Sequence, residues 1–104
     1  MTPEILNQWN KTGVRRDVNS RGVRTAVWEF GDAHKPFIIM VHGITGNHFG
    51  LLPLAYELRT HFRIYIVDLP NHGESDFSRQ AERDINFLRD WFDGAVDEIC
   101  RREN

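Results

Sequence analysis

The chain has 104 residues, 40% of them hydrophobic and 27% charged, with a formal net charge of −2. That length holds one small domain at most, and the composition is that of a folded chain, not a disordered one. Basic pairs at Arg15–Arg16 and Arg101–Arg102 are offset by nearby acids, which excludes the electrostatic footprint of a partner such as nucleic acid or an anionic membrane. No apolar run approaches the ~20 residues of a membrane span. Met1-Thr2-Pro3-Glu4 lacks the basic and apolar regions of a signal peptide, and one cysteine, Cys100, excludes an internal disulfide. Both features point to a cytoplasmic localisation.

Thr2-Pro3-Glu4 is a helix start, with Thr2 as N-cap, Pro3 in the first turn and Glu4 near the positive end. The spacing predicts a short helix near residues 3–11. Two β-type runs follow, near 14–18 and 23–30, joined by a turn at Asn19-Ser20-Arg21-Gly22. Apolar residues fall on both faces of the second run, which predicts a strand covered on two sides. After the loop Gly31–Pro36, Phe37-Ile38-Ile39-Met40-Val41 is an unbroken apolar run, the mark of a strand in a parallel sheet.

Residues near 49–61 carry Leu51, Leu54, Ala55 and Leu58 at helical spacing, and Ile64-Tyr65-Ile66-Val67 is a second apolar run. Strand, helix and strand in this length predict a βαβ unit with a right-handed crossover. A last helix is expected near 79–102, with Ile85, Leu88, Phe92, Val96 and Ile99 as its apolar stripe. Arg89–Asp93 and Asp97–Arg101 stand at i,i+4, each pair worth a few tenths of a kcal/mol if formed. Gly94 interrupts that helix at a cost of up to ~1 kcal/mol relative to Ala. The whole chain reads as one partial α/β domain.

Chemistry concentrates where the two apolar strands end. The first runs into His42-Gly43-Ile44-Thr45-Gly46-Asn47, where glycines let the backbone turn sharply and present free N–H groups. The second runs into Asp68-Leu69-Pro70-Asn71-His72-Gly73-Glu74-Ser75. Ligands of parallel sheets collect at this end of the strands. Asp68 with His72 has the residue types of an acid–base or metal pair, but zinc needs three or four ligands and no third has suitable spacing. Turn hydrogen bonds account for them more simply, and no metal or cofactor is expected. Gly46 and Gly50 are not followed by the lysine of a nucleotide-binding loop.

These two segments resemble those of the α/β-hydrolase family, whose members carry H-G-x-x-G after the third strand and D-x-x-G-x-G-x-S after the fourth. His42-Gly43-Ile44-Thr45-Gly46 fits the first, and Asp68–Ser75 fits the second with Asn71 in place of a glycine. Asn tolerates the left-handed backbone such a position takes. The resemblance implies the N-terminal half of an α/β-hydrolase sheet, with the backbone N–H of Ile44 as one oxyanion-hole donor for ester or related carbonyl substrates. Such a donor is worth ~2.7–4 kcal/mol in the barrier. His42, Gly43, Thr45, Asn47 and His48 are then candidates for substrate contact, Asn47 being equally suited to cap the next helix. Asp68, Asn71, Gly73 and Ser75 form the structural turn, and His42 shapes the loop.

The resemblance also implies Ser, Asp/Glu and His in that order, starting from a G-x-S-x-G elbow on a fifth strand. No such elbow occurs: Gly73-Glu74-Ser75-Asp76-Phe77 lacks the closing glycine. The family's sheet order places the third strand between the fourth and fifth, so residues 37–41 are expected at an open edge. That edge invites pairing, and a homo-oligomer or a partner chain is the alternative to a catalytic role. Trp28 and Trp91 are expected core anchors, Trp9 a core or docking residue, and Cys100 a packed thiol.

Overall fold

A computed structural model describes residues 2–43 and 46–103. Helix α1 spans Pro3–Asn10, and its N-terminus is capped by Thr2, whose side chain accepts a hydrogen bond from the Ile5 N–H. The first β-type run is split into β1 (Val14–Arg15) and β2 (Val18–Ser20). The second is split at Ala26 into β3 (Val23–Thr25) and β4 (Val27–Phe30). The sequence pattern predicts one continuous hairpin. Instead β1 pairs with β4 in the main sheet, while β2 and β3 form a separate hairpin. Arg21 and Gly22, at φ 52° and 80°, make its two-residue turn, a backbone with both central residues left-handed.

β5 (Phe37–Val41) and β6 (Arg63–Val67) run parallel, with Val41 opposite Val67. The main sheet has the order β1–β4–β6–β5, β4 lying antiparallel to β6. The expected parallel pair is therefore present, and β5 stands at the edge. Between these strands the predicted helix 49–61 is shorter: a 3₁₀ turn at His48–Leu51 precedes α2 (Leu52–Leu58). Pro53 opens α2, where its missing N–H costs no helical bond.

β6 sets the two layers by alternation. Ile64 and Ile66 face a core with Trp28, Phe30, Leu52 and Ala55, backed by α1 and α2. Tyr65 and Val67 face Val27, Leu69, Trp91, Ala95 and Ile99 under the last helix. Each large apolar side chain so enclosed contributes roughly 1.5–3 kcal/mol. Trp9 stacks on Phe30 at 4.3 Å between ring centroids, so it belongs to the packing.

The predicted helix 79–102 is two helices, α3 (Arg79–Arg83) and α4 (Ile85–Glu103). Asp84 takes extended backbone between them, and its Oδ1 accepts from the Asn86 and Phe87 N–H groups, making it the cap of α4. The buried face of α4 is Trp91, Ala95 and Ile99, whereas Ile85 and Phe92 of the expected stripe are 75% and 40% exposed. Polar anchoring sets that rotation. The Trp91 indole N–H donates to Thr25 Oγ1 at 2.8 Å, and Ser20 Oγ donates to the Trp91 carbonyl at 2.7 Å. Gly94 makes the approach possible, since a Cβ there would overlap Ser20 Oγ. The two expected i,i+4 ion pairs are replaced by Arg89–Asp90 and Arg101–Glu98.

Candidate functional site at the strand ends

β5 and β6 end side by side, and residues that follow one strand bond to residues that follow the other. After β5, the Gly46 N–H donates to the Gly43 carbonyl at 2.9 Å. Ile44 and Thr45, the proposed oxyanion donor and its neighbour, lie outside the described residues. Gly43 and Gly46 are exposed on either side of them.

Both ends of this loop are tied to the turn after β6. At the entry, His42 is buried; its Nδ1 is 2.6 Å from the Gly43 carbonyl and its Nε2 accepts from the Leu69 N–H at 3.1 Å. Only the tautomer with hydrogen on Nδ1 satisfies both contacts. At the exit, the buried His48 donates its backbone N–H to Asp68 Oδ1 at 2.8 Å, and its Nδ1 lies 3.2 Å from Oδ2. The His48 ring stacks on Trp28, with centroids 3.6 Å apart and planes 18° apart. Asn47 caps the 3₁₀ turn through the Phe49 N–H.

Asp68 has no exposed surface, and its second oxygen also accepts from the Glu74 N–H at 3.0 Å. Burial by itself pushes its carboxyl up. The bonds from the His48 ring, the Glu74 N–H and the His48 N–H outweigh that and hold it below the ordinary carboxylate value. Gly73, at φ 49°, is required here because a Cβ would collide with the Asp68 carboxylate. Asn71 sits at φ 69° and exchanges two bonds with Ser78, Nδ2–H to the carbonyl and N–H to Oδ1.

Ser75 closes the turn: its Oγ donates to the Asp68 carbonyl at 2.8 Å and accepts from the Ala26 N–H at 2.9 Å. The other two serines are also engaged, Ser20 with Trp91 and Ser78 as the cap of α3. The turn bonds expected of Asp68 are present, and its further partner is His48, twenty positions away. His72 instead bonds the Pro70 carbonyl through Nδ1, and its ring lies 5.4 Å from that of His42. The partnership of Trp28, His48 and Asp68 has no local signal, because its members come from three separate elements. Among the described residues, no group of three or more His, Cys, Asp or Glu side chains is placed to hold a metal.

A family described as the alpha/beta hydrolase fold matches residues 36–101, more than half of the chain. The chain belongs to that family. No curated protein matches the sequence. Among solved structures, the Cif epoxide hydrolase from Acinetobacter nosocomialis aligns over 95% of this chain and 35% of its own, with 18% identity and a TM-score of 0.74. An epoxide hydrolase from Vigna radiata aligns over 86% and 29%, with 19% identity and a TM-score of 0.75. A membrane phospholipase A aligns over 92% and 32%, with 19% identity and a TM-score of 0.77. At these identities the likeness is one of fold. The chain spans about a third of the length of these α/β-hydrolases. Among the described residues, no helix is long and apolar enough to cross a membrane.

Proposed function

We propose that this chain is the oxyanion-loop portion of a serine-type α/β-hydrolase acting on carboxylic esters or related carbonyl compounds, and that it is inactive alone. The observation that carries the reading is the bond from the Gly46 N–H to the Gly43 carbonyl, just past the end of β5 where it runs parallel to β6. Backbone amides aimed there meet the charge that develops on a carbonyl oxygen under attack. The Ile44 N–H is the donor, with Gly43 and Thr45 framing it. Asn47 and His48 serve this reading as supports of the loop, through the Phe49 N–H and through Asp68. All three serines hold structural bonds, so the nucleophile comes from elsewhere. Its lone cysteine suits a reducing cytoplasm.

Two experiments test this reading. The 104-residue chain should show neither hydrolysis of a p-nitrophenyl ester nor labelling by a fluorophosphonate; labelling at a serine would overturn it. Residues 37–76 exchanged into a complete ester hydrolase of the same fold should retain turnover. Ile44→Pro in that chimera should then lower kcat by about 10²–10³ with little change in KM. Unchanged kcat would remove Ile44 from the role.

A second reading is favoured by the position of β5. It lies at the sheet edge with all five residues half-buried, and such an edge pairs readily with another strand. Edge-to-edge pairing of two copies about a two-fold axis would make a homo-oligomer. Sedimentation at concentrations on the order of tens of micromolar should show a dimer that Ile39→Lys dissociates; a folded monomer would sink this reading.

A further inference from the structure

His42 and His48 are each fastened to the turn after β6, and His42 is fastened as an acceptor. His42 Nε2 takes the Leu69 N–H at 3.1 Å, and Asp68 Oδ1 is only 3.4 Å from the same nitrogen. An imidazole nitrogen accepts only while it carries no proton. Adding one at Nε2 sets two donors against each other, Nε2–H and the Leu69 N–H. The nearby acceptor is Asp68 Oδ1, which holds a single bond, from the His48 N–H, and has lone-pair capacity for another.

We propose that His42 is a pH-sensitive latch on the loop. Unprotonated, it fastens the loop entry to the Leu69 N–H; protonated, it releases that N–H and turns its Nε2–H to Asp68. The proton comes from solvent, and no bond other than hydrogen bonds is made or broken. The groups facing His42 are the Asp68 carboxylate, the His72 ring at 5.4 Å and, across Asp68, His48. Asp68 stays ionised through the range in which histidines titrate, because its hydrogen bonds hold it low. Only the His42 staple reverses: His48 donates to Asp68 from both its backbone and its ring, and a proton on its free nitrogen leaves both bonds in place. The latch is independent of the ester reading, since it concerns the loop's attachment and not what the loop binds.

NMR of the ¹⁵N-labelled 104-residue chain between about pH 8 and pH 5 tests it. At the upper end His42 should show hydrogen on Nδ1. As His42 takes up its second proton, the Leu69 and Gly43 amide signals should move with the same midpoint. Protection of the Leu69 amide, relative to its intrinsic exchange rate, should fall at least tenfold. His72→Gln should keep this transition and His42→Gln should remove it. Unchanged Leu69 protection across the His42 titration would overturn the latch. So would a His42 that does not titrate in this range, an Nε2–H tautomer at pH 8, or no dispersed amide spectrum there.

Discussion

Two carboxylates are buried against opposite ends of the same sheet, and they are satisfied by different chemistry. Asp68, at the C-terminal end of β6, accepts two backbone N–H groups and the His48 ring, with His42 beside it. Glu29, 4% exposed on β4, sits among arginines: Arg102 at 3.0 Å, Arg63 at 3.3 Å and Arg16 at 3.6 Å. Arg63 and Tyr65 also meet Glu103, which ties the end of α4 to the sheet. Arginine keeps its charge at any pH a protein survives, whereas imidazole changes at mild acidity. The arginine end is therefore a fixed clasp. The histidine end is the one at which the latch is proposed.

The largest expected effect tests whether Asp68 organises the strand ends. Asp68→Asn keeps the shape but sets an amide against groups that all donate, and weakening several hydrogen bonds to a charged acceptor, each worth about 1.5–3 kcal/mol, should cost about 3 kcal/mol or more. Urea denaturation should show that loss; less than about 1 kcal/mol would mean the backbone alone holds the turn. Glu29→Gln should cost less, about 1.5–3 kcal/mol, because the arginines it leaves are partly exposed and Arg16 can return to water. Its effect should be the same at pH 8 and pH 5, since no partner titrates between them. A strongly pH-dependent loss would break the contrast between the two ends.

Acid should sharpen it. The folded-state pKa of Asp68 is below its ordinary 3.8, so its contribution is complete above that value and is lost as pH falls through the lower folded one. Asp17 behaves alike: slight burial raises it, but bonds from Arg15 and Arg24 bring it below its ordinary value. The acid-limb difference between wild type and Asp68→Asn, followed by circular dichroism, isolates the Asp68 share. It should be flat above about pH 5 and shrink below pH 3.8. The smallest expected change is Asn71→Gly. Glycine takes φ 69° without strain, but the two bonds to Ser78 are lost, for a net cost of about 1 kcal/mol by thermal melting.

Much of the fold was legible in local pattern. The apolar runs at 37–41 and 64–67, separated by a helix, are the parallel pair found, and the Thr2 cap is where its residue type put it. Less legible were breaks set by hydrogen bonds outside the segment. Asp84 looked like one polar residue in a long helix, yet its side chain caps a new one. Ile85 and Phe92 matched helical spacing, but Trp91 bonded to Thr25 turned the helix away from them. At the strand ends, the H-G-x-x-G and Asp68–Ser75 segments were plain, while the pairing of His48 with Asp68 was not.

By itself, the sequence determined which apolar segments are the parallel strands, where the glycine-containing turns fall and which family the chain joins. Each follows from properties a residue carries in its own neighbourhood: side-chain period, backbone freedom, hydrogen-bonding capacity. Only the tertiary structure decided which histidine holds Asp68, which face of the last helix is buried and which carboxylate has titratable neighbours. Those outcomes depend on distances between residues remote along the chain, set when the two cores closed on opposite faces of β6.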